Sequence, residues 1–208
     1  MNEKEETRLT LLKEYETNLH KEGIEYVAGI DEAGRGPLAG PVVVAVCIMS
    51  ENSFLEGVND SKKVSEKKRE TLYEKIVETA ISFGVGIVDE KRIDEINILN
   101  ATKEALTIAI SKLETKPDII LVDALTGIDT LGIPYKAVIK GDATIYSISA
   151  ASIIAKVTRD RMMKEADKKY PKYGFEKHKG YGTKMHIDAI KEHGLCEIHR
   201  RSFTKNFV

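Results

Sequence analysis

The chain has 208 residues, of which 42% are hydrophobic and 31% charged, with a formal net charge of −1. This composition indicates a globular protein with one core, or one core and a small appendage. No apolar run approaches the roughly 18 residues of a membrane span, and the N-terminus lacks the basic and apolar regions of a signal peptide. The only two cysteines, Cys47 and Cys196, have no metal-ligand spacing. We therefore expect free thiols, with Cys47 buried, in a reducing, cytoplasmic setting.

The pattern of apolar residues predicts both helices and strands. Helices are expected over about residues 3–22, 65–80, 94–113, 143–170 and 184–193. Strands are expected over about residues 26–31, 41–49, 81–89, 117–123 and 133–142.

Acidic residues stand where three of the predicted strands end. The first strand ends in Asp31 and Glu32, the fourth in Asp123, and the fifth in Asp142, just before a long helix. Because ligands bind at strand ends in open α/β sheets, these four carboxylates are candidates to converge at one sheet edge. The alternative is that they are separate turn residues and helix caps.

Carboxylates that converge without Cys or His partners favour hard cations such as Mg²⁺ or Mn²⁺. Two such ions support phosphodiester hydrolysis, because one activates water and the other stabilises the leaving oxygen. Repulsion among the acids would raise their pKa values without metal, so metal binding is expected to release protons.

The charge is distributed unevenly along the chain. Residues 156–208 hold 14 Lys or Arg against 7 Asp or Glu, a net charge of +7, so the first 155 residues carry −8. A basic C-terminal quarter beside an acidic body is typical of a protein that binds a phosphate backbone and loads metal. The alternative is a chance excess on a solvated helical face. With the four acids, this charge pattern predicts a nuclease.

The segment between the first two strands, Gly34-Arg-Gly-Pro-Leu-Ala-Gly40, is rich in glycine. A dinucleotide-binding motif needs Gly-x-Gly-x-x-Gly opening a helix, whereas Pro37 interrupts this segment and a strand follows it. The segment does offer backbone N–H groups that can approach a phosphate or sugar closely, beside the planar cation of Arg35.

Three further features of the sequence have more than one interpretation. Lys62 and Lys63 can hold a phosphate, although paired loop lysines are commonly solvated surface. Residues 170–183 interleave aromatics, glycines and lysines, so a tyrosine there either stacks on a sugar or base or packs as a loop anchor. The C-terminal histidines have no metal-ligand spacing and are expected to be structural: His178, His186, His193 and His199.

Five blocks of the sequence, in order, closely resemble bacterial ribonuclease HII, and the resemblance runs from about residue 26 to 203. The blocks are Gly29-Ile-Asp-Glu-Ala-Gly-Arg-Gly36, Asn59-Asp-Ser-Lys-Lys63, Lys140-Gly-Asp142, Ala150-Ala-Ser-Ile-Ile-Ala-Lys-Val-Thr-Arg-Asp160 and His178-Lys-Gly-Tyr-Gly-Thr183.

The resemblance implies an α/β fold of the RNase H-like type, a five-stranded mixed sheet flanked by helices with a small C-terminal helical extension. The expected division is an N-terminal helical segment (1–22), a catalytic core (23–165) and a basic, substrate-binding extension (166–208). The implied activity is endonucleolytic hydrolysis of RNA in RNA–DNA hybrids, and cleavage 5′ of ribonucleotides embedded in duplex DNA. The products would carry a 3′-hydroxyl and a 5′-phosphate.

The resemblance also implies a role for each matching residue. The metal ligands for two Mg²⁺ or Mn²⁺ ions would be Asp31, Glu32, Asp123 and Asp142. The 2′-hydroxyl at the RNA-to-DNA junction would be sensed by Gly34, Arg35 and Gly36, and Tyr181 would stack on the next deoxyribose. Lys62, within Asn59–Lys63, would contact the substrate backbone. Asp160 has no such role, and we expect it on a helix surface.

There are two rival hypotheses, of which the first belongs to a different class of protein. A noncatalytic nucleic-acid-binding module would be expected to have lost a metal-binding acid, and all four are present. A different two-metal nuclease on the same fold would leave the glycine segment and Tyr181 without a junction to read. We expect a monomer without a membrane partner. The sequence does not indicate the physiological metal or whether a replication clamp binds.

Overall fold

The computed structural model describes residues 1–123 and 125–207. The strands are β1 (Val27–Ala33), β2 (Val42–Met49), β3 (Ala80–Val88), β4 (Ile119–Asp123) and β5 (Tyr135–Val138). The helices are α1 (Glu3–Lys21), α2 (Glu66–Thr79), α3 (Glu90–Ser111), α4 (Gly141–Thr144), α5 (Tyr146–Lys169), α6 (Phe175–His178), α7 (Lys184–His193) and α8 (Arg201–Thr204). A 3₁₀ turn covers Ser61–Lys63.

The strands form one sheet in the order β3-β2-β1-β4-β5. β2 pairs antiparallel with β1 and β3, whereas β4 pairs parallel with β1 and β5. Helices cover both faces, with α5, α1 and α2 on one side and α3 on the other. Every residue of β2 is buried, as expected for a run of uncharged, mostly β-branched residues between two helical layers. The predicted five-stranded mixed sheet is confirmed.

Helix α5 lies unusually close to β1. A Cβ added at Gly29 would collide with the backbone of Ser147 and Ile148, so only glycine allows this approach. The carboxylate of Glu16 on α1 accepts a hydrogen bond from the Ser147 N–H at 2.9 Å, which fixes the start of α5. The end of β1, which carries Asp31 and Glu32, is thereby fixed against the longest helix of the molecule.

The fifth strand is shorter than the sequence suggests. It ends at Val138, and Asp142 lies in α4, so the prediction that Asp142 ends a strand is wrong. The reason is that β5 is an exposed edge strand, whose apolar pattern continues into the exposed Ile139 without any pairing. Lys140 then adopts φ 57°, which turns the chain into α4.

Helix α3 also differs from its expected start. It begins at Glu90, because Asp89 caps it by accepting a hydrogen bond from the Arg92 N–H at 2.8 Å. Asn97, with φ 66°, interrupts the helix. The predicted start near residue 94 thus lies just before this interruption.

The C-terminal helices pack around their own apolar cluster, formed by Ala39, Met163, Tyr173, Phe175 and Ala189. α5 continues past residue 165, to Lys169, so the core and the predicted extension share this helix. Among the described residues, no helix combines the length and apolar character needed to cross a bilayer.

Candidate active site

Three elements bring the predicted acids to one end of the sheet. Ile30 and Val122 are the last paired positions of the parallel strands β1 and β4, so Asp31 and Asp123 follow at neighbouring strand ends. The Gly141 N–H donates to Asp123 Oδ1 at 2.9 Å, and this bond holds α4, with Asp142, beside Asp123. We call Asp31, Glu32, Asp123 and Asp142 the acid edge.

Burial makes the acid edge electrostatically costly. It raises the pKa of Asp31 to about 7, with a further contribution from the charge of Glu32. The pKa of Glu32 is also raised by burial, although Arg35 lies 3.2 Å away, and burial raises that of Asp123. The predicted increase is therefore present at these three acids, but desolvation contributes more than mutual repulsion.

Lys62 reaches the acid edge although its side chain is 79% exposed, so it is both a surface lysine and a neighbour of Asp142. Its Nζ is 3.3 Å from Asp142 Oδ2. The 3₁₀ turn that presents Lys62 is capped by Asp60, whose Oδ1 accepts a hydrogen bond from the Lys62 N–H at 3.0 Å. The acid edge thus already attracts one cation of the chain itself.

The acid edge has the type of ligand that a hard metal ion prefers, but its side chains are not arranged around a common position. All four donors are carboxylates, the ligand type that hard cations prefer, and burial raises the pKa values of Asp31, Glu32 and Asp123. In the part of the chain that the structure describes, however, no three His, Cys, Asp or Glu side chains are arranged to hold an ion together. Metal binding would therefore need carboxylates to rotate toward one another.

A cleft of about 190 Å³ joins part of the acid edge to the glycine segment. Its lining consists of residues 31–36, Ser61, Lys62, Lys156 and Tyr181. The Tyr181 side chain is exposed, and a Cβ added at Gly36 would lie 3.8 Å from its ring, so ring and segment are neighbours. A larger cleft, of about 780 Å³, lies between α1 and the loop before α2 and contains none of the four acids.

Two buried arginines hold the glycine segment in place. Arg200 donates to the carbonyls of Gly34 at 2.6 Å, Arg35 at 3.0 Å, Gly40 at 2.9 Å and Pro41 at 3.1 Å. Such multiple bonds use the rigid fork of a guanidinium. No local sequence pattern marks this role of Arg200, because the carbonyls lie about 160 residues away along the chain.

Arg159 supplies the second set of bonds. It donates to the carbonyls of Ala39 at 3.0 Å, Pro41 at 2.9 Å and Lys179 at 2.8 Å. The last bond ties the glycine segment to the loop that carries Tyr181. The only available signal was the presence of Arg159 in a motif block.

Asp160 is buried, so its predicted position on a helix surface is wrong. Its carboxylate accepts hydrogen bonds from Lys156 Nζ at 2.7 Å and from Arg69 at 3.4 Å. Arg69 lies on α2, far away in sequence, and no local pattern could show that contact. Lys156, which Asp160 holds, lines the cleft beside Lys62.

The structure thus brings most predicted site residues into one region. Asp31, Glu32, the segment 34–36, Lys62 and Tyr181 share the cleft. Asp123 and Asp142 adjoin it through the Gly141 and Lys62 contacts. His178, His186 and His199 are buried in the C-terminal region, in agreement with a structural role.

Comparison with known proteins connects this arrangement to one family. Residues 28–206 match the family model described as Ribonuclease HII. Ribonuclease HII from Acetivibrio thermocellus is 57% identical over 206 residues, which cover 99% of this chain and 80% of the relative.

Two solved archaeal structures are also similar. The ribonuclease H2 of Pyrococcus horikoshii OT3 superposes with a TM-score of 0.74 at 32% identity, covering 88% of this chain and 96% of that one. Ribonuclease HII of Archaeoglobus fulgidus, solved in complex with PCNA, gives 0.72 at 32% identity, covering 86% and 94%.

Proposed function

This chain belongs to the ribonuclease HII family, and on that premise we propose that it also cuts duplex DNA on the 5′ side of single embedded ribonucleotides, using two metal ions. The family consists of metal-dependent endonucleases that degrade RNA in RNA–DNA hybrids. The observation that carries the proposal is the shared cleft, in which the first two acids face the glycine segment and Tyr181.

The acid edge is the proposed metal site, for Mg²⁺ or Mn²⁺, with Asp31, Glu32, Asp123 and Asp142 as ligands. When bound, the ions would supply an activated water and stabilise the leaving 3′-oxygen, so that the products carry a 3′-hydroxyl and a 5′-phosphate. The burial of Asp31 supports this role, since the acid edge excludes part of the water that would otherwise screen its charges. The Gly141 N–H donates to Asp123 Oδ1 at 2.9 Å, which supports the proposal by holding Asp123 beside the helix that carries Asp142.

The glycine segment is the proposed sensor of the 2′-hydroxyl, which is the group that distinguishes RNA from DNA. Gly34, with φ 96°, adopts a backbone conformation that other residues rarely accept. Because Arg200 bonds the carbonyls of Gly34 and Arg35 from the protein interior, the segment has a fixed orientation before substrate arrives. A fixed backbone lowers the entropy cost of recognition.

Tyr181 is the proposed stacking surface for the deoxyribose that follows the ribonucleotide. Its ring is 45% exposed and adjoins Gly36, so one duplex strand could contact both. Lys62 and Lys156, which line the same cleft, would contact phosphates, and the basic residues of 166–208 would extend that contact along the duplex. The division into a segment 1–22, a core 23–165 and an extension 166–208 is part of this proposal.

We place the enzyme in the cytoplasm, as a monomer acting on hybrids and ribonucleotide-containing DNA. Cys47 and Cys196 are both free thiols, which supports a reducing compartment.

The test is cleavage of a labelled DNA duplex that contains one ribonucleotide, with Mg²⁺ or Mn²⁺, beside an all-DNA control. We expect one cut, 5′ of the ribonucleotide, and an intact control. Binding without cleavage under both metals would support the noncatalytic module instead. Equal cleavage of the all-DNA duplex would point to a different nuclease.

A further inference from the structure

Three histidines form a buried cluster beneath the loop that carries Tyr181. The rings of His178 and His186 stack with centroids 4.4 Å apart, and those of His186 and His199 lie 5.2 Å apart. Phe175 packs against all three rings. His186 is 0% exposed and His199 3%, so their polar atoms must find partners within the protein.

The backbone groups around the cluster determine which nitrogen carries each proton. The Tyr181 carbonyl, 3.0 Å from His186 Nδ1, can only accept, so His186 Nδ1 must be protonated. In a neutral ring, His186 Nε2 is then an acceptor. His199 Nε2 lies 3.0 Å from it and must therefore donate.

At the far end, His199 Nδ1 lies near both the N–H and the carbonyl of Cys196, at 2.9 and 3.3 Å, and the carbonyl already accepts from the His199 backbone N–H at 3.2 Å. His199 Nδ1, left as an acceptor, receives a hydrogen bond from the Cys196 N–H at 2.9 Å. A directional series thus runs from the Cys196 N–H through His199 and His186 to the Tyr181 carbonyl. We call His199 and His186 the histidine relay.

His178 holds the preceding residue of the same loop. Its Nε2 faces the Tyr173 carbonyl at 2.8 Å and must donate, so its Nδ1 accepts from the Gly180 N–H at 3.2 Å. Gly180 and Tyr181 are therefore both bonded to imidazoles. Such bonds fix the backbone from which the Tyr181 ring projects.

Both relay histidines are neutral near pH 7, which the assignment requires. Burial lowers the pKa of His186 and of His199 to about 4. Each ring consequently offers one donor and one acceptor, and only one arrangement bonds the Tyr181 carbonyl to His186 and also pairs His186 with His199.

We propose that His186, held by His199, is a positioning residue that fixes Tyr181 for recognition of the RNA-to-DNA junction. The inference rests on the proposed function, because it assigns a supporting residue to the proposed stacking surface. A phenylalanine could fill the same volume, but it could not bond the Tyr181 carbonyl. The relay therefore affects cleavage at single ribonucleotides more than cleavage within long hybrids.

Two substitutions of His186 separate the bond from the packing. In His186→Asn the side-chain amide can still donate from near the position of Nδ1, whereas His186→Gln places its amide near Nε2 and loses the bond to Tyr181. Losing one hydrogen bond of about 1 kcal/mol corresponds to about fivefold. We expect His186→Gln to lower single-ribonucleotide cleavage about fivefold relative to long-hybrid cleavage, and His186→Asn to retain the wild-type ratio.

The outcomes distinguish this inference from the proposed function. If the wild-type enzyme does not cut at an embedded ribonucleotide, the proposed function fails. If it does, and both His186 variants keep the wild-type ratio, or both lose it equally, the positioning role is wrong. An unchanged ratio in Tyr181→Ala would also overturn it.

A measurement on the unmodified protein removes any dependence on how the variants fold. Two-dimensional ¹H–¹⁵N spectra of the imidazole rings report tautomers directly. We expect His186 protonated at Nδ1, and both His178 and His199 protonated at Nε2. The opposite tautomer at His186 would contradict the relay.

Discussion

The acid edge and the glycine segment share a cleft but are stabilised in opposite ways. At the acid edge, burial raises the pKa values of Asp31, Glu32 and Asp123, and the cation within reach of Asp142 is the exposed Lys62. Around the glycine segment, two buried arginines bond the carbonyls directly. The acid edge therefore lacks the positive charge that a metal ion would supply. The glycine segment, which would recognise the substrate, is already held by hydrogen bonds within the protein.

This difference suggests how the enzyme would combine selectivity with metal dependence. Under the proposed function, recognition of the 2′-hydroxyl would use a backbone that is already ordered, so discrimination would not depend on metal. Hydrolysis would wait for ions that reorganise the carboxylates. Substitutions in the two regions should thus affect different measurements.

The largest effect is expected from Asp142→Asn. Removing one charge from the acid edge should lower cleavage at least about 100-fold, in the range seen when a preorganised catalytic group is lost. Hybrid binding, measured by fluorescence anisotropy, should stay within about twofold because the cationic contacts are unchanged. Asp188→Asn, which alters an exposed acid on α7, is the matched control. Retained turnover in Asp142→Asn would remove Asp142 from the metal site.

Arg200→Lys tests whether the hydrogen bonds of the Arg200 guanidinium stabilise the glycine segment. Lysine keeps the charge but cannot reproduce the fork, so at least one buried carbonyl loses its partner. We expect the free energy of unfolding in urea to fall by about 2 kcal/mol. Arg201→Lys, at the exposed neighbouring position, should stay within about 0.5 kcal/mol of the wild type. Equal stability of the two variants would argue against the arginine bonds as the support of the segment.

Tyr181→Ala tests whether the exposed ring of Tyr181 contributes to cleavage at a single ribonucleotide by stacking. Loss of a stacking contact is expected to slow cleavage at a single ribonucleotide about tenfold, within the range for aromatic stacking. Tyr181→Phe, which keeps the ring, should remain close to the wild-type rate. The rates are measured under single-turnover conditions on the same duplex. If alanine and phenylalanine behave alike, stacking is not the role of Tyr181.

The smallest effect concerns proton release on metal binding. Asp31, with a pKa of about 7 in the metal-free protein, is largely protonated at pH 6, and the ion requires the carboxylate. Mg²⁺ affinity should therefore fall about eightfold between pH 7.5 and pH 6.0. Titration calorimetry in two buffers of different ionisation enthalpy should show proton release at pH 6.0 and little at pH 8.5. Equal release at both pH values would contradict the raised pKa.

The raised pKa of Asp31 also affects the stability of the metal-free protein, where protonation favours the folded state. The pKa of Asp31 is about 7 in the folded protein and 3.8 in its ordinary state, so the folded state binds the extra proton. Its contribution to stability is complete below pH 3.8 and is lost as the pH rises through 7. Bound metal should remove this dependence.

Local sequence patterns were sufficient for the elements that carry the acid edge. The apolar run before Asp31 and the buried β2 have the residue types of central strands, and both were predicted within two residues or so. Asp142 lies in α4, which is bonded to Asp123, but it was assigned to the wrong element, because an exposed edge strand such as β5 gives an unreliable end.

The support of the glycine segment could not be predicted in this way. Arg200 and Gly34 are 166 residues apart, and the bond between them follows from the packing of the C-terminal helices. Similarly, His186 and His199 have no spacing that marks a pair, since the contact is made by a loop between α7 and α8. Sequence identifies groups that touch solvent or metal more readily than those that hold other groups in place.

The hydrogen bond between Arg200 and Gly34 also determines which part of the site can form first during protein synthesis. A ribosome produces the chain from the N-terminus, at about 5–20 residues per second, so β1, β2 and all four acids exist before Arg200 emerges. Until then the carbonyls of the glycine segment lack the guanidinium that holds them. A nascent or C-terminally shortened chain would thus carry the groups for hydrolysis before it could discriminate its substrate, and selectivity would be the last property the protein acquires.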